Sequence, residues 1–216
     1  MKKPKYWGLA KKTLSKKDKV LKKIIKMYKG NLVSRSDPFF SLCKSIVGQK
    51  ISVQAANSVW KKLFLKSKKI TPKNILSLNK RQLSSCGLSR QKIEYLKILS
   101  KKFKDKSIDI KKLKKMSDED AIKYLIQIKG VGRWTAEMFL FFNQLRPNIF
   151  PIQDIGLLKA ISKNYKIKYP PSSTKLSSLK KTWSPYATVA TWYMWRSIDL
   201  ILASNSRTSI SSSMSS

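Results

Sequence analysis

The sequence contains no histidine and only two cysteines, Cys43 and Cys86, among its 216 residues. The absence of imidazole excludes Ser-His-Asp and Cys-His catalysis and the usual zinc hydrolase sites. Two thiols neither require an oxidising compartment nor suffice for a structural zinc site or an iron-sulfur cluster, so we interpret both cysteines as core residues. Any catalysis must therefore rest on a carboxylate, a lysine, a hydroxyl or a thiol.

Long apolar runs are missing as well. The longest obvious one, residues 138–142, is far shorter than the roughly 20 residues that cross a bilayer. The N-terminus is basic but lacks the apolar stretch of a secretory signal. We therefore expect no membrane partner and a cytoplasmic location.

Acidic residues are scarce: 11 Asp and Glu stand against 47 Lys and Arg, which gives a formal charge of +36. Such an excess favours a polyanionic partner, nucleic acid above all, through counterion release and electrostatic steering. A lysine-rich proteome would also raise the charge of every surface, and the preference for Lys over Arg fits that alternative. The charge supports DNA binding without establishing it.

What the sequence does contain is ample apolar material at helical spacing. Hydrophobic residues make up 42% of the chain and aromatic residues 10%, enough to bury a core. We find no alternating pattern typical of paired strands, so we expect an all-α fold. Residues 1–15 are predicted to be a basic flexible arm, residues 16–202 a helical domain, and the serine-rich residues 203–216 a disordered tail.

Several helix starts and ends can be predicted from capping residues. Asp37 and Pro38 form an N-cap followed by a first-turn proline, and Ser52 caps the next long helix. Residues 134–145 form a strongly apolar segment that should be a buried, central helix. Another helix is expected to begin at Asp154, after a proline-containing loop.

Residues 126–136 read Ile-Gln-Ile-Lys-Gly-Val-Gly-Arg-Trp-Thr-Ala, which predicts a helix end, a tight hairpin and a new helix start. Glycines allow left-handed backbone angles and close approach to a phosphate, while the amides of the following helix attract an anion. Such a clamp holds DNA without reading its sequence. A Gly-x-Gly turn also joins helices for purely structural reasons, so the hairpin alone is weak evidence.

Together with three other blocks, this segment resembles the helix-hairpin-helix DNA glycosylase superfamily, and within it the DNA-3-methyladenine glycosylase II group. Lys129 stands where the family often has proline. Residues 45–53 resemble the Gln-containing loop that enters the minor groove, residues 150–157 the loop with the catalytic aspartate, and residues 184–196 the last helix of the group. The resemblance covers roughly residues 35–198.

The resemblance implies a fold of two helical lobes with a helix-hairpin-helix motif, the DNA cleft and Asp154 between the lobes, and no β-rich N-terminal domain. It also implies a set of DNA-binding residues in the minor-groove loop and the hairpin. These are Gln49, Lys50 and Ile51 in the loop, and Gly130, Val131, Gly132, Arg133 and Thr135 in the hairpin.

For catalysis the resemblance implies Asp154, whose carboxylate would stabilise positive charge on the sugar as the N-glycosidic bond breaks. The alternative is an ordinary N-cap before an apolar helix. Bifunctional relatives carry a nucleophilic lysine where this chain has Trp134, which implies a monofunctional enzyme that uses water. No cysteine follows Cys86, so the iron-sulfur branch of the superfamily is disfavoured.

An alkylated purine is cationic, so its pocket is expected to contain electron-rich rings that bind it by cation-π attraction. We predict Trp134 and Trp192 as the walls of this pocket, with Tyr186 nearby. Met138 and Ile155 occupy positions where some relatives carry aromatic residues. Other aromatic residues of the last helix, Tyr193 and Trp195 among them, are expected to be partly core.

The sequence thus predicts a monofunctional glycosylase for alkylated purines of the 3-methyladenine and 7-methylguanine type, without a cofactor. It is expected to act as a monomer on double-stranded DNA containing damaged bases, associated with the bacterial nucleoid. Two alternatives remain: a related glycosylase for oxidised or mismatched bases, and a non-catalytic DNA-binding module. Hairpin carbonyls in the superfamily can hold a monovalent cation, here those of Ile126, Ile128 and Val131.

Overall fold

The computed structural model describes residues 4–35 and 37–198. Within these residues it contains twelve α-helices, one short 3-10 helix and no strand, so the expected all-α fold is confirmed. Contacts divide the described residues into two compact units: unit 1 comprises Pro4 and the described residues of 33–151, and unit 2 comprises Lys5–Leu32 and residues 152–198. The described part of unit 2 therefore combines an N-terminal with a C-terminal segment.

The helices are named in chain order. They are α1 (Trp7–Lys17), α2 (Lys19–Met27), α3 (Pro38–Gly48), α4 (Val53–Ser67), α5 (Pro72–Ser77), α6 (Lys80–Ser84), α7 (Arg90–Lys104), α8 (Asp118–Ile126), α9 (Arg133–Phe142), α10 (Ile155–Tyr165), α11 (Ser173–Trp183) and α12 (Ala187–Arg196), with the 3-10 helix at Lys112–Lys115.

Most of these helices begin where a polar side chain accepts a backbone N–H of the first turn. The capping residues are Asp18, Asp37, Ser52, Thr71, Asn79, Ser89, Ser117, Asp154 and Ser172. An N-cap of this kind satisfies an amide that has no partner within the helix. The helix starts predicted at Asp37, Ser52 and Asp154 are confirmed.

Unit 1 is organised around α3, α7 and α9. Helix α3 packs against α4, α7 and α9, α5 packs against α7, and α8 packs against α9. Phe139, Leu140 and Phe141 are fully buried, which confirms the predicted central helix, although α9 ends at Phe142 rather than near residue 145. The hairpin between α8 and α9 is thus anchored on one side by a largely buried helix.

Unit 2 is built around α12, against which α1, α2, α10 and α11 all pack. Trp7 meets Trp192 edge to face, with ring centroids 5.2 Å apart. Asp18, the N-cap of α2, is buried and accepts a hydrogen bond of 2.9 Å from the Trp183 indole and another from the Tyr165 hydroxyl. The two segments of unit 2 are therefore joined through packed aromatic residues and a buried carboxylate.

The prediction of a basic flexible arm over residues 1–15 is wrong, because α1 begins at Trp7. Trp7, Ala10 and Leu14 are at most 1% exposed and lie on one face of this helix. Three apolar residues at helical spacing suffice to dock it, although lysines dominate the segment. The predicted tail at residues 203–216 lies outside the described residues.

Among the described residues, no helix is both long enough and apolar enough to cross a bilayer.

Candidate active site and DNA interface

The hairpin of unit 1 depends on a glycine at position 130. Gly130 has a φ of +90°, a backbone conformation that L side chains rarely adopt. A Cβ atom at this position would overlap the ring of Tyr95. The glycine is therefore required by both the turn and the packing of α7, on which Tyr95 lies.

The second glycine of the hairpin, Gly132, is required by neither. Its φ of −84° and ψ of 176° are ordinary extended values, and a Cβ added here would meet no heavy atom within 4 Å. Gly132 is also the N-cap of α9, and this helix starts without a side-chain cap. The start of α9 therefore combines open space with a positive helix end, which is the arrangement that an anion favours.

The predicted minor-groove loop is fastened to the hairpin by Gln49. Its Nε2 atom donates hydrogen bonds to the Gly130 carbonyl at 2.9 Å and to the Thr135 hydroxyl at 2.8 Å. From the other side, the Lys92 ammonium donates to the carbonyls of Val47 at 2.7 Å and Gln49 at 2.8 Å, and burial lowers the pKa of Lys92. The loop is thus held between α7 and the hairpin.

The tip of this loop consists of Lys50 and Ile51. Both are exposed, Ile51 by 41%, and Lys50 has a φ of 53°. The three predicted loop residues therefore differ in their environment. The Gln49 side chain is hydrogen-bonded within the protein, whereas Lys50 and Ile51 are exposed to solvent. Sequence alone did not distinguish these two roles.

Among the predicted hairpin contacts, Arg133 is already paired within the protein. Its guanidinium binds Glu119 through two bonds of 2.8 Å and 2.7 Å, and its Nε lies 3.2 Å from Glu137. The hydrogen bonds to Glu119 raise the pKa of Arg133 above its ordinary value. Val131 and Thr135 are each only 2% exposed, so any contact they make with DNA would come from their backbone.

The carbonyls proposed for a monovalent cation lie at the end of α8 and in the hairpin. The Ile128 carbonyl accepts the Val131 amide at 2.9 Å. A carbonyl oxygen has two lone pairs, so this bond is compatible with a cation ligand. The cation at Ile126, Ile128 and Val131 stays a prediction.

In unit 2, Asp154 is the N-cap of α10, and its carboxylate is held at two points. Oδ1 accepts the Leu157 amide at 2.6 Å and the Trp195 indole Nε1–H at 2.8 Å. An N-cap needs only the first of these bonds. The bond from Trp195, on α12, fixes the carboxylate in a way that capping does not require.

Trp195 is the residue of this site that the sequence analysis did not place. It is 5% exposed and would pass for an ordinary core residue of an aromatic-rich helix. The sequence of the last helix resembled the glycosylase pattern, which pointed to this helix as part of the site. It did not show which of its aromatic residues contacts Asp154. That choice depends on how α10 and α12 pack.

The predicted pocket residues lie in both units. On α9 of unit 1, Trp134 is half-buried and Met138, one turn later, is 4% exposed. In unit 2, Ile155 is 61% exposed. Tyr186 stacks on Tyr6 with a centroid distance of 6.1 Å.

Trp192 is only 2% exposed. It packs against Trp7, and a Cβ added at Gly30 would lie 3.4 Å from its ring. Trp192 is therefore a core residue of unit 2 in this structure, and a pocket of these five residues stays a prediction.

A helix-hairpin-helix with an uncapped helix start, together with an aspartate held by an indole, is the arrangement that the sequence predicted for a helical DNA-repair protein. The sequence model for "HhH-GPD superfamily base excision DNA repair protein" matches residues 43–185. The chain belongs to this superfamily, which confirms the resemblance found in its sequence.

Individual relatives agree with this membership. DNA-3-methyladenine glycosylase 1 of Schizosaccharomyces pombe is 30% identical over 189 residues, which cover 84% of this chain and 82% of that protein. The Bacillus subtilis protein YfjP is 36% identical over 128 residues, 59% of this chain, and the match spans less than half of its length, 45%.

Solved structures show the same fold. The structure of the S. pombe 3-methyladenine DNA glycosylase Mag1 in complex with abasic DNA has a TM-score of 0.77 and 27% sequence identity. The match covers 88% of this chain and 96% of that one. The described helices therefore form a glycosylase fold of this superfamily.

Proposed function

We propose that this protein is a monofunctional DNA glycosylase of base excision repair that hydrolyses the N-glycosidic bond of alkylated purines in duplex DNA. The observation that carries the proposal is the carboxylate of Asp154, held by the Trp195 indole in a chain of this superfamily. The relatives named as DNA-3-methyladenine glycosylases support the alkylated purine as the substrate.

The chemistry follows from the charge that develops during cleavage. As the base leaves, positive charge builds on the deoxyribose, and a fixed carboxylate near C1′ lowers this barrier electrostatically. The bonds from Leu157 and Trp195 hold Oδ1 of Asp154 before the reaction begins. Such preorganisation is effective because the carboxylate does not have to reorient as the charge develops.

The step after base release is assigned to water. Trp134 occupies the hairpin position at which bifunctional relatives carry a lysine, and an indole cannot form a Schiff base with the sugar. The expected products are a free base and an intact strand with an abasic site. A cationic N3- or N7-alkylated purine is already a good leaving group, so the absence of histidine does not prevent its release.

Access to the base requires the nucleotide to leave the helical stack. The start of α9 would bind a phosphate through its backbone, and the exposed tip at Lys50 and Ile51 would occupy the gap. Gln49 supports this division of labour because it fastens the tip to the hairpin. The partner is duplex DNA with a damaged base, and a monomer acting on nucleoid DNA in the cytoplasm stays the expected state.

The experiment that tests the proposal measures release of free 3-methyladenine and 7-methylguanine from methylated duplex DNA. Wild type should release both, and Asp154→Asn should reduce the single-turnover rate by at least about 100-fold, since it removes the charge. Asparagine is a good N-cap, so the variant should fold.

The matched control is Asp37→Asn. Asp37 caps α3 by accepting the Phe40 amide at 2.8 Å, so this variant makes the same chemical change at another helix start. It should retain the wild-type rate. A borohydride-trapped adduct would contradict the monofunctional mechanism, and release of 8-oxoguanine without release of methylated purines would contradict the alkylated substrate.

A further inference from the structure

A strong local excess of positive charge lies in α1 and α2. Residues 5–32 contain ten lysines and a single acidic residue, Asp18. Neither helix has an acidic residue in its first turn. A surface of this composition has no alternating charges of the kind that stabilise a solvated helix face.

Six of these lysines lie on the sides of α1 and α2 that face away from the buried apolar residues. We use the term cationic face for the exposed residues Lys12, Lys16, Lys19, Lys22, Lys23 and Lys26. On α2, Lys19 and Lys26 each lie three and four residues from the adjacent pair Lys22 and Lys23, so the four lie opposite the buried Leu21 and Ile24. The apolar side of each helix is thus packed into unit 2, and the charged side is left to solvent.

The one acidic residue of the segment does not neutralise this face. Asp18 is 7% exposed and accepts the amides of Val20 and Leu21 at 2.9 Å and 3.0 Å. Trp183 and Tyr165 donate to its other oxygen. The Asp18 carboxylate is therefore buried and hydrogen-bonded within the protein, so the charged groups on the exposed surface of this segment are all cations.

Helix α8 of unit 1 has a different charge pattern. Helix α8 has Asp118, Glu119 and Asp120 in its first turn, where they oppose the helix dipole favourably. Glu119 also pairs with Arg133. The cationic face therefore differs from α8, although residues 38–93 of unit 1 contain no acidic residue either.

We propose that the cationic face is a second DNA-contacting surface, which binds the phosphate backbone of duplex DNA without sequence preference. The inference rests on the proposed function only for the identity of the polyanion. Like charges at three- and four-residue spacing repel each other, and bound phosphates would relieve this repulsion. A membrane surface is a poorer fit because the large apolar residues exposed on these helices, Leu9 and Met27, are isolated.

The test is the salt dependence of binding to an undamaged duplex of about 30 base pairs. The variant carries Lys19→Gln, Lys22→Gln, Lys23→Gln and Lys26→Gln, and glutamine is a good helix former, so α2 should remain folded. Each lost phosphate contact should reduce the slope of log K against log salt by about 0.9. We expect the slope to fall by about 2 or more and the affinity at 0.1 M salt to fall about ten-fold or more.

Three controls make the result specific. Replacing Lys111, Lys112, Lys114 and Lys115 of unit 1 by glutamine removes the same charge and should change the slope much less. Arginine at the four α2 positions should restore binding. Vesicles of phosphatidylserine and phosphatidylcholine should not bind the wild type more tightly than the glutamine variant.

Equal losses in both glutamine variants, an unchanged slope, or preferential binding of the wild type to the vesicles would overturn the proposal. Excision of 3-methyladenine from a short duplex at saturating enzyme is measured in parallel and should be unchanged. Failure of the glycosylase assignment would appear as absent excision by wild type, which leaves the salt slope readable.

Discussion

Units 1 and 2 each carry proposed functional groups, and the two sets differ in their chemistry. In unit 1 the proposed functional elements are backbone groups: a glycine turn and the start of α9, kept in place by Gln49 and Lys92. In unit 2 the proposed functional element is one side chain, the carboxylate of Asp154, kept in place by the Trp195 indole. The first arrangement suits binding, and the second suits chemistry.

The difference teaches which substitutions should separate affinity from rate. A backbone site fails when a Cβ atom disturbs the turn or blocks the approach of a phosphate. A side-chain site fails when a hydrogen bond that orients the reacting group is lost. Substitutions in unit 1 should therefore change stability or DNA affinity, whereas substitutions around Asp154 should change the rate of excision.

The largest effect is expected for Gly130→Ala. The new Cβ would overlap Tyr95, and alanine would have to adopt a φ near +90°. Overpacking and left-handed strain together should reduce the free energy of unfolding by about 2–5 kcal/mol. Urea denaturation measures this loss, and an unchanged midpoint would show that the hairpin does not need a glycine here.

Trp195→Phe should separate rate from affinity. It removes the Nε1–H that binds Asp154, and a hydrogen bond to a charged group contributes about 1.5–3 kcal/mol. We expect the single-turnover rate to fall by about 10- to 100-fold with little change in the Kd for DNA. A drop in affinity at an unchanged rate would assign Trp195 to DNA binding instead.

Trp183→Phe is the matched control for that variant. It removes the same indole donor from a different aspartate, Asp18, which is buried in unit 2. Leaving a buried carboxylate short of one donor should lower the free energy of unfolding by about 1–3 kcal/mol and leave the excision rate of the folded protein unchanged.

Gly132→Ala should have a smaller effect, and in unit 1 it is the counterpart of Gly130→Ala. The added methyl group enters open space, so stability should change by less than about 1 kcal/mol. If a phosphate approaches here, the Kd for an undamaged duplex should rise about five-fold, the equivalent of about 1 kcal/mol. Unchanged DNA binding would argue against phosphate contact at this glycine.

The smallest effect is expected for Glu94→Gln, which breaks the exposed ion pair between Glu94 and Lys129, 2.5 Å apart. Lys129 lowers the pKa of Glu94, so any stabilisation is present at neutral pH and is lost as the pH falls through that lowered value. Solvent screens such pairs. The thermal midpoint at pH 7 should therefore be indistinguishable from wild type, and a clear decrease would show that this pair supports the hairpin.

Much of this protein could be predicted from local sequence. The helix starts at Asp37, Ser52 and Asp154 follow from capping residues, because an N-cap acts on amides only two or three positions away. The hairpin at Gly130 follows from the need for a positive φ. The sequence blocks around the hairpin and Asp154 indicated the superfamily, which the comparisons confirmed.

The remaining features depend on contacts between residues far apart in the chain. No local pattern shows that Gln49 reaches Thr135, 86 positions away, or that Trp195 rather than a neighbouring ring binds Asp154. The docking of α1 escaped the sequence analysis because its lysines outnumber the few apolar residues that bury it. By itself the sequence determined the helices, the hairpin and the candidate carboxylate, since these need only neighbouring residues. Only the tertiary structure decided which side chains support them, because packing sets the distances between separate helices.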